Sequence, residues 1–340
     1  MQVFSPVAFS VTRDTIGNIM KRTLFTILFC GSLLWSPGTV FSFDGPLQVR
    51  NQFPLFLPLA PPFLESAAVR DSASVSVSHS SVYVTEYSPS WTINMDLELT
   101  EIAIRLKKRL NDRLEIGLDV PFLRPTEGFL DRPLADFHDA LGTKDYNRHE
   151  RPYNTFLFEV LYQGRPVILP EAGKAGIGDM RLTFKQEVIE GFPLVSVMGS
   201  IEFPTGDAKT GYGNGSYDAS LAVLGDINLG KKYRGYGNAG AVFPGALKGY
   251  QTVPMRTYYY AGFGIEAAWW ERFNVILQTL AATSPYPDTG IRQVDWPGVL
   301  LVLGGRYSFG HGSLEFSLTE DPDTAGAPDF ILNVTYTMNF

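Results

Sequence analysis

Cysteine is almost absent from this chain of 340 residues, in which Cys30 is the only one. Basic residues are also few, since 28 lysines and arginines face 35 aspartates and glutamates and leave a formal charge of -7. A nucleic-acid-binding protein carries a basic face, so this balance excludes nucleic acid as a partner. The chain has only four histidines, and no cysteine and histidine set has the spacing of a zinc site. We predict neither a metal nor another cofactor.

The sequence also lacks an apolar run long enough for a membrane helix. Residues 24–35 are apolar and follow a basic pair at residues 21–22, and small residues before Phe43 fit a signal-peptidase site. A helix needs roughly 20 apolar residues to cross a bilayer, so we predict a cleaved signal peptide over residues 1–42 instead of a membrane anchor. The basic pair follows Met20, which is a second candidate for the initiator.

Without residues 1–42 the chain has no cysteine, so an exported protein of this kind forgoes disulfides and depends on a closed, hydrogen-bonded sheet. Its 33 glycines and 16 tyrosines suit an all-β membrane protein. Residues 43–72 are rich in proline, which cannot donate to a sheet ladder. We predict that they form a separate N-terminal segment, in the periplasm or in the lumen, ahead of a barrel at residues 73–340.

No helical period persists after this segment. Stretches of about ten residues instead alternate apolar and polar side chains between turn residues, which is the signature of a transmembrane β-barrel. In residues 91–99 the odd positions, from Trp91 to Leu99, are apolar, whereas Asp96 and Glu98 lie at even positions. We therefore assign the odd positions to lipid and the two carboxylates to the lumen.

Short and long connections alternate along the chain, as expected for short periplasmic turns and long outer loops. An odd number of strands places the two ends of a barrel on opposite sides of the membrane, so the thirteen alternating segments cannot leave both ends in the periplasm. Residues 155–162 are the segment that breaks the alternation. These residues continue through a short turn into another short run, so we assign them to a hairpin within an outer loop. The sequence thus predicts a transmembrane antiparallel up-and-down β-barrel of about 12 strands, in which residues 124–175 form one long extracellular loop.

This long loop contains a second predicted element. Apolar residues recur in it at helical spacing and a glycine follows them, which predicts a short amphipathic helix. Such a helix either plugs the mouth of the barrel or packs on the loop hairpin. The residues assigned to the plug are Phe129, Leu130, Leu134, Phe137, His138 and Leu141.

The charged side chains that point inward by this alternation have mixed signs. They are expected either to pair across the lumen or to line a narrow path, because a charge removed from water without a partner is costly. The predicted lumen-lining residues are Asp96, Glu98, Asp119, Asp179, Arg181, Lys185, Glu202, Arg256, Glu266 and Arg306.

His79 and Ser81 are two residues apart on the first predicted strand and therefore share a face. This arrangement is compatible with the base and the nucleophile of a membrane lipid hydrolase. A His-x-Ser pair also arises by chance, and no orienting amide or carboxylate is identified by its position. Catalysis is therefore the alternative to a barrel without enzymatic activity.

The last segment alternates apolar and polar residues up to the terminal Phe340. A final strand that ends in phenylalanine resembles the signal read by the barrel-assembly machinery of Gram-negative bacteria. This resemblance implies that the last strand descends to the periplasm and that Phe340 is the assembly signal. The expected partners are that machinery during biogenesis, and outer-membrane lipid and lipopolysaccharide afterwards.

Several motifs are spread over nearly the whole exported chain: Arg50-Asn51-Gln52-Phe53-Pro54, His79-Ser80-Ser81, Asp96-Leu97-Glu98, Gly128-Phe129-Leu130-Asp131, Gly176-Ile177-Gly178-Asp179 and Pro204-Thr205-Gly206-Asp207. Together they resemble a family of Gram-negative outer-membrane proteins known only as a domain of unknown function. The resemblance implies an outer-membrane barrel and carries over no functional residue. We expect a narrow, loop-obstructed channel or binding barrel for small solutes, apolar ones included. The alternatives are the lipid hydrolase and a structural barrel without transport activity.

Overall fold

The structure, a computed structural model, describes residues 43–141, 151–323 and 325–340, and the side chains of residues 137–141 lie outside the description. The predicted signal peptide also falls outside it. The described residues belong to one compact unit. Among them, no helix is both long enough and apolar enough to cross a membrane.

Nearly all regular structure is β-strand. In chain order the strands are β1 (Ser72–Tyr87), β2 (Trp91–Arg109), β3 (Leu114–Thr126), β4 (Leu157–Tyr162), β5 (Arg165–Ile168), β6 (Gly176–Ile177), β7 (Met180–Ile189), β8 (Leu194–Phe203), β9 (Asp218–Asn228), β10 (Tyr233–Phe243), β11 (Leu247–Lys248), β12 (Thr252–Val253), β13 (Tyr258–Trp270), β14 (Phe273–Ala282), β15 (Gly298–Phe309), β16 (Gly312–Glu320) and β17 (Phe330–Asn339). Two helices lie within the described residues, α1 (Asp131–Leu141) and α2 (Arg292–Asp295).

The twelve longer strands pair with their neighbours, all antiparallel, to form a closed barrel. Closure is made where β1 pairs with β17, from Ser72 opposite Asn339 to Ser81 opposite Phe330. Short turns lie at one end, called the short-turn end below, and long connections lie at the other, the long-loop end. The predicted up-and-down barrel of about 12 strands is thereby confirmed.

Alternation separates an apolar outer face from a polar inner face. In β16, Leu314, Phe316 and Leu318 point outward and are 45–52% exposed, whereas Glu315 and Ser317 between them are buried. Side chains of successive strand residues point to opposite faces, so a period of two residues places the apolar side chains together on the outer face. The strand assignment therefore follows from local sequence alone.

Strand β2 differs from its predicted assignment in its upper half, which is residues 91–99, toward the long-loop end. Its register with β1 has no shift from Lys107 to Thr92, so the odd side chains stay on the inner face along the whole strand. Trp91 and Leu97 are 3% and 2% exposed and point inward. The assignment of the odd positions to lipid was wrong, because this half of the strand extends past the end of β17 and meets an apolar filling inside the barrel.

The long connection between β3 and β7 contains the predicted helix, α1, and the predicted hairpin, β4 and β5. Gln163 and Gly164 form the turn of this hairpin with positive φ angles of 50° and 73°, which is the conformation that a two-residue hairpin turn requires. β4 continues the sheet beside β2, with Tyr162 opposite Trp91. The hairpin thus extends the barrel wall at the long-loop end.

Candidate functional site

Residues 45–70, called the lumenal hairpin below, run inside the barrel. They rise along β14 and β15, where the Leu47 amide donates to Gln278 Oε1 at 2.9 Å, and they descend past β10 and β9 to the start of β1. An antiparallel bridge between Arg50 and Phe63 joins the rising and the falling legs. The structure therefore places the N-terminal segment in the lumen.

The tip of the lumenal hairpin, residues 53–60, packs under the connections at the long-loop end. Tyr258 Oη donates to the carbonyls of Leu59 at 2.8 Å and Ala60 at 3.1 Å. Prolines in the tip have no N–H group, so its backbone brings fewer donors that need partners inside a closed space. The tip shares one buried apolar cluster with upper β2 and the outer loops, which includes Phe53, Leu55, Phe56, Trp91, Ile93, Met95, Val160 and Tyr286.

Arg306 binds the rising leg near the short-turn end. Its side chain is 1% exposed and donates to Glu315 Oε1 at 2.8 Å, to Glu266 Oε1 at 2.5 Å and to the Gly45 carbonyl at 2.6 Å. The Gly45 amide donates in return to Glu266 Oε2 at 3.3 Å. A buried arginine that is paired with carboxylates and with backbone oxygen is stabilised by charge-assisted hydrogen bonds. This cluster fixes the beginning of the lumenal hairpin to the wall.

Arg50 makes a second charged anchor, higher on the rising leg. Its Nη2 lies 2.5 Å from Glu101 Oε1 on β2, and its Nη1 lies 3.6 Å from Asp119 Oδ2 on β3. Gln52 donates to the other oxygen of Glu101 at 3.0 Å, and Arg105 donates to Asp119 at 3.4 Å. The wall carboxylates therefore pair with the hairpin, and Asp119 also pairs with a basic residue of the wall.

The falling leg is bound mainly through its backbone. Lys185 Nζ donates to the carbonyls of Ser66 at 3.1 Å and Ala68 at 2.8 Å. Asp226 accepts from the Ser66 hydroxyl at 2.6 Å and from the Ala67 amide at 2.9 Å. Charged side chains of the wall thus satisfy backbone groups that have no sheet partner.

Most predicted lumen residues in the strands lie on the inner face, but Arg256 does not. It is exposed, precedes β13, and its amide donates to the Pro285 carbonyl at 2.7 Å. Its assignment to the lumen was wrong, because the strand begins two residues later and the alternation does not reach it. The buried residues of the set on inner strand faces are Asp119, Arg181, Lys185, Glu202, Glu266 and Arg306.

Asp96 and Glu98 lie on the outer face of β2, and their assignment to the lumen was also wrong. Both are buried, Glu98 at 1% exposed, because the connection that follows β3 folds against this face. Arg151 of that connection is 3.9 Å from Asp96 Oδ2, and His79 Nε2 is 2.5 Å from Glu98 Oε2. Protein groups, not lumenal water, therefore satisfy these carboxylates.

The residues that lead into α1 also lie outside the barrel. The amides of Phe129 and Leu130 donate to Glu98 Oε1 at 2.9 and 2.5 Å, and the Phe129 ring stacks on His79 with 5.0 Å between ring centroids. The interpretation of Phe129 and Leu130 as a lumenal plug was wrong, because the nearest covering surface for them is the outer wall. Leu134 is buried. The plug residues whose side chains fall outside the description are Phe137, His138 and Leu141.

His79 and Ser81 occupy the same outer face, but the site around them is closed. Ser81 is 0% exposed, so a lipid ester has no access to its hydroxyl. The two ring nitrogens of His79 face Thr100 Oγ1 at 2.9 Å and Glu98 Oε2 at 2.5 Å. This geometry gives the histidine a role in holding the connection after β3 against the wall, and offers no support for the hydrolase.

We expect Glu98→Gln to loosen the connection after β3. An amide can accept at one end only, so its NH₂ group would face either the Phe129 and Leu130 amides or His79, at a cost of about 1–3 kcal/mol. Chymotrypsin should therefore cleave after Phe129, which is exposed, faster than in the parent protein, by at least about fivefold. The exposed Glu127, changed to glutamine, is the matched control and should leave the cleavage rate unchanged. Equal rates in both variants would contradict the anchoring role of Glu98.

Asp179 lies between β6 and β7 at the long-loop end and holds the loop between β8 and β9. Its carboxylate accepts from the amides of Gly206 at 2.7 Å and Asn214 at 2.9 Å. Burial raises the pKa of Asp179 to about 7, and the nearby Glu202 acts in the same direction, while the two amide bonds oppose the shift. A Cβ at Gly213 would lie 2.2 Å from Asp179 Oδ1, so only glycine fits this close approach.

Because the folded pKa of Asp179 lies above its ordinary value of 3.8, this carboxyl favours the folded loop at low pH. Its contribution is complete below about pH 4 and falls as the pH rises to about 7. We expect amide hydrogen exchange in residues 204–216 to be slower at pH 5 than at pH 8, after correction for intrinsic exchange. Asp179→Asn should reduce this difference, and Asp207→Asn, at an exposed site of the same loop, should keep it. An undiminished difference in Asp179→Asn would assign the effect to other groups.

The sequence did not identify the residues of the lumenal hairpin that hold it in place. Arg50, Gln52 and Glu65 stand at the two ends of the apolar, proline-rich stretch of residues 53–64, and that position is the signal that could have marked them. Within the described ranges, no group of three or more histidine, cysteine or acidic residues has the arrangement of a metal site.

Phe340, the predicted assembly signal, is 64% exposed at the short-turn end, where its amide lies 3.3 Å from the Asp71 carbonyl.

Comparison with known proteins places this geometry among barrels of the outer membrane. The family described as protein of unknown function (DUF3187) matches residues 23–340. No curated protein matches the sequence. A crystal structure of an outer membrane channel from Pseudomonas putida F1 is similar with a TM-score of 0.55 and 16% identity, over 82% of this chain and 99% of that one. This similarity shows the fold.

Two further solved structures are similar at lower scores. The NanC porin has a TM-score of 0.45 and 6% identity, over 79% of this chain and 98% of that one. The toluene transporter TodX of P. putida has a TM-score of 0.40 and 9% identity, over 85% of this chain and 93% of that one.

Proposed function

The chain belongs to the DUF3187 family, and we propose that it is an outer-membrane channel for small solutes whose lumen is closed by its own lumenal hairpin. The observation that carries this proposal is the path of residues 45–70 through the barrel. The polar lumen alone does not carry it, because outer-membrane barrels have polar interiors whether they conduct or not. Here charged groups of the wall bind a segment that is not part of the wall.

The contacts of the two legs of the lumenal hairpin, unlike those of its apolar tip, are of a kind that can be exchanged for water. They are ion pairs and side-chain to backbone hydrogen bonds, such as Lys185 to Ala68 at 2.8 Å, and water offers replacement partners for each of them. The strand ladder is separate from them. Both legs of the hairpin end near the short-turn end, so it can leave the lumen without breaking a strand pair.

The orientation and the partners are part of the same proposal. We place the short-turn end in the periplasm and the long-loop end outside the cell, with the exposed apolar face in outer-membrane lipid and lipopolysaccharide.

Phe340 at the periplasmic edge is the proposed assembly signal. Deletion of Phe340 should slow insertion by the barrel-assembly machinery without changing the fold of protein that has already inserted.

A reversible cross-link tests whether the lumenal hairpin closes the channel. The Ser66 hydroxyl donates to Asp226 Oδ2 at 2.6 Å, so the two side chains face each other and Ser66→Cys with Asp226→Cys brings two thiols within disulfide reach. Residues 43–340 contain no other cysteine. In planar bilayers we expect channel openings in reducing buffer and their loss in oxidising buffer.

The two single-cysteine variants are the controls, and each should conduct equally in both buffers. Formation of the cross-link is read independently from gel mobility. Equal conductance of the linked and the reduced double variant would overturn the proposal, and so would a silent bilayer in every state.

A further inference from the structure

One sector of the barrel interior carries hydroxyl and amide side chains and little charge. It lies on the inner face of β1, β17 and β16, and Glu315 within it is neutralised by Arg306 at 2.8 Å. The charged side chains that bind the lumenal hairpin lie on other strands. The uncharged polar residues at the middle of this sector, called the hydroxyl face below, are Ser78, Asn333, Thr335, Ser317 and Thr319, all of them buried.

The members of the hydroxyl face lie side by side across the three strands. Ser78 lies opposite Asn333, and Asn333 lies opposite Ser317. The Ser78 hydroxyl donates to Asn333 Oδ1 at 2.7 Å, and Asn333 Nδ2 donates to Thr335 Oγ1 at 3.1 Å. The register of the strands sets this arrangement, so it persists when the lumenal hairpin leaves.

Two members of the hydroxyl face have no hydrogen-bond partner while the hairpin is in place. The side chains of Ser317 and Thr319 are 2% and 1% exposed, and their hydroxyls make no hydrogen bond to any of the residues that the structure describes. The buried wall carboxylates differ from them, since an oxygen of Glu202 that lacks a partner belongs to a group that Arg181 binds. A hydroxyl that is buried without any partner is costly.

The lumenal hairpin presents apolar side chains to these two hydroxyls. A Cβ at Gly304 would lie 2.6 Å from Leu47 Cδ1 and 2.8 Å from Ser317 Cβ, so Leu47 and Ser317 meet over this glycine. Thr319 stands between buried aliphatic residues of β15 and β17 that share one apolar cluster with Leu47. The rising leg therefore covers both hydroxyls without bonding them, and they can gain partners only when it leaves.

We infer that the hydroxyl face binds an uncharged, polyhydroxylated solute, a small sugar or polyol, in the open channel. The inference rests on the proposed channel function, for which it names the class of solute. Hydroxyl groups of such a solute can both donate to and accept from Ser317, Thr319 and Thr335. An apolar solute would leave these groups unpaired, as the hairpin does, and an ion finds no unpaired opposite charge among them.

Maltose tests this inference, because it is uncharged and carries hydroxyls along its whole length. The exported chain, residues 43–340, is recorded in planar bilayers with maltose or with a polyethylene glycol of the same mass, which carries hydroxyls only at its ends. We expect maltose to interrupt the open-channel current in proportion to its concentration. Polyethylene glycol should have an apparent affinity at least about tenfold lower, since it offers fewer donors.

Ser317→Ala combined with Thr319→Val removes both hydroxyls with little change in volume. The apparent affinity for maltose should fall by about tenfold, the loss expected for two hydrogen bonds of ordinary strength. Because neither hydroxyl has a partner beneath the hairpin, the urea midpoint of unfolding should be no lower than in the parent protein. Thr279→Val, on the outer face of β14, is the matched control and should keep the parent affinity. If the double variant does not fold, Thr319→Val alone should lower the affinity about threefold.

Each result decides the inference. Unchanged maltose affinity in the double variant or in Thr319→Val, equal interruption by polyethylene glycol, or openings that maltose does not interrupt would each overturn it and leave the channel in place. A double variant that opens less often but keeps its maltose affinity would assign the hydroxyls to closure alone, which also overturns it. A silent bilayer in every state would remove the proposed channel and this inference with it.

Discussion

Replacement of Arg306 by leucine is expected to lower the free energy of unfolding by about 3–5 kcal/mol, because it leaves Glu266 and Glu315 buried without their cation. The guanidinium is 1% exposed and bonds both carboxylates and the Gly45 carbonyl. Its removal also frees the first residues of the lumenal hairpin. Urea unfolding in detergent or lipid vesicles, followed by the heat-dependent gel mobility of the barrel, measures the loss.

Two further variants separate the role of charge from the role of volume. Leucine at 306 combined with Glu266→Gln and Glu315→Gln removes all three charges, and most of the lost stability should return. Arg113→Leu is the matched control at an exposed ion pair with Glu190, where the expected cost is below about 1 kcal/mol. A loss in Arg306→Leu as small as in the control would show that the buried cluster does not hold the hairpin.

The barrel could be predicted from the sequence because its signal is local. In β16 and β17 each residue points to lipid or to the lumen according to its position alone, and the membrane imposes the same demand on every strand. The β4 and β5 hairpin could be identified for a similar reason, since Gln163 and Gly164 adopt a turn that depends on two residues.

The upper half of β2 could not be assigned correctly because the polarity of a face depends on what covers it. Leu97 and Leu99 face the hairpin tip, which is apolar, whereas Glu98 faces the amides of Phe129 and Leu130. Both covering segments are distant in sequence or connected through a long loop. An alternating pattern indicates a strand with two different faces, but it does not indicate which face is inside.

The position of the lumenal hairpin also depends on contacts that are distant in sequence. Its prolines indicate a segment that cannot join the sheet, and this much follows from residue type. Its position in the lumen depends on partners such as Glu101, Lys185 and Asp226, which lie on three different strands. Only closure of the barrel brings them together around residues 45–70.

Excision of the lumenal hairpin is expected to produce the largest change in conductance. Residues 46–64 are replaced by a short glycine and serine linker, which removes both Arg50 and the apolar tip. The strand ladder is untouched, and the wall charges exposed by the excision are hydrated by water that enters the lumen. The barrel should therefore fold and conduct in a constantly open state, with a conductance several times that of the parent protein. Single-channel recording in planar bilayers measures it.

The matched control is excision of the connection that covers the outer wall. Thr126 and Leu157 lie opposite Glu98 and Asp96 on β2, so a short glycine and serine linker can replace residues 127–156 while both strand ends stay in place. Because the described part of this connection lies outside the barrel, its removal should leave the conductance unchanged. The sequence predicts that this connection obstructs the lumen, whereas we propose that the hairpin does, so the two excisions have opposite expected results. Raised conductance after removal of residues 127–156, with none after removal of residues 46–64, would return the gate to the outer loop.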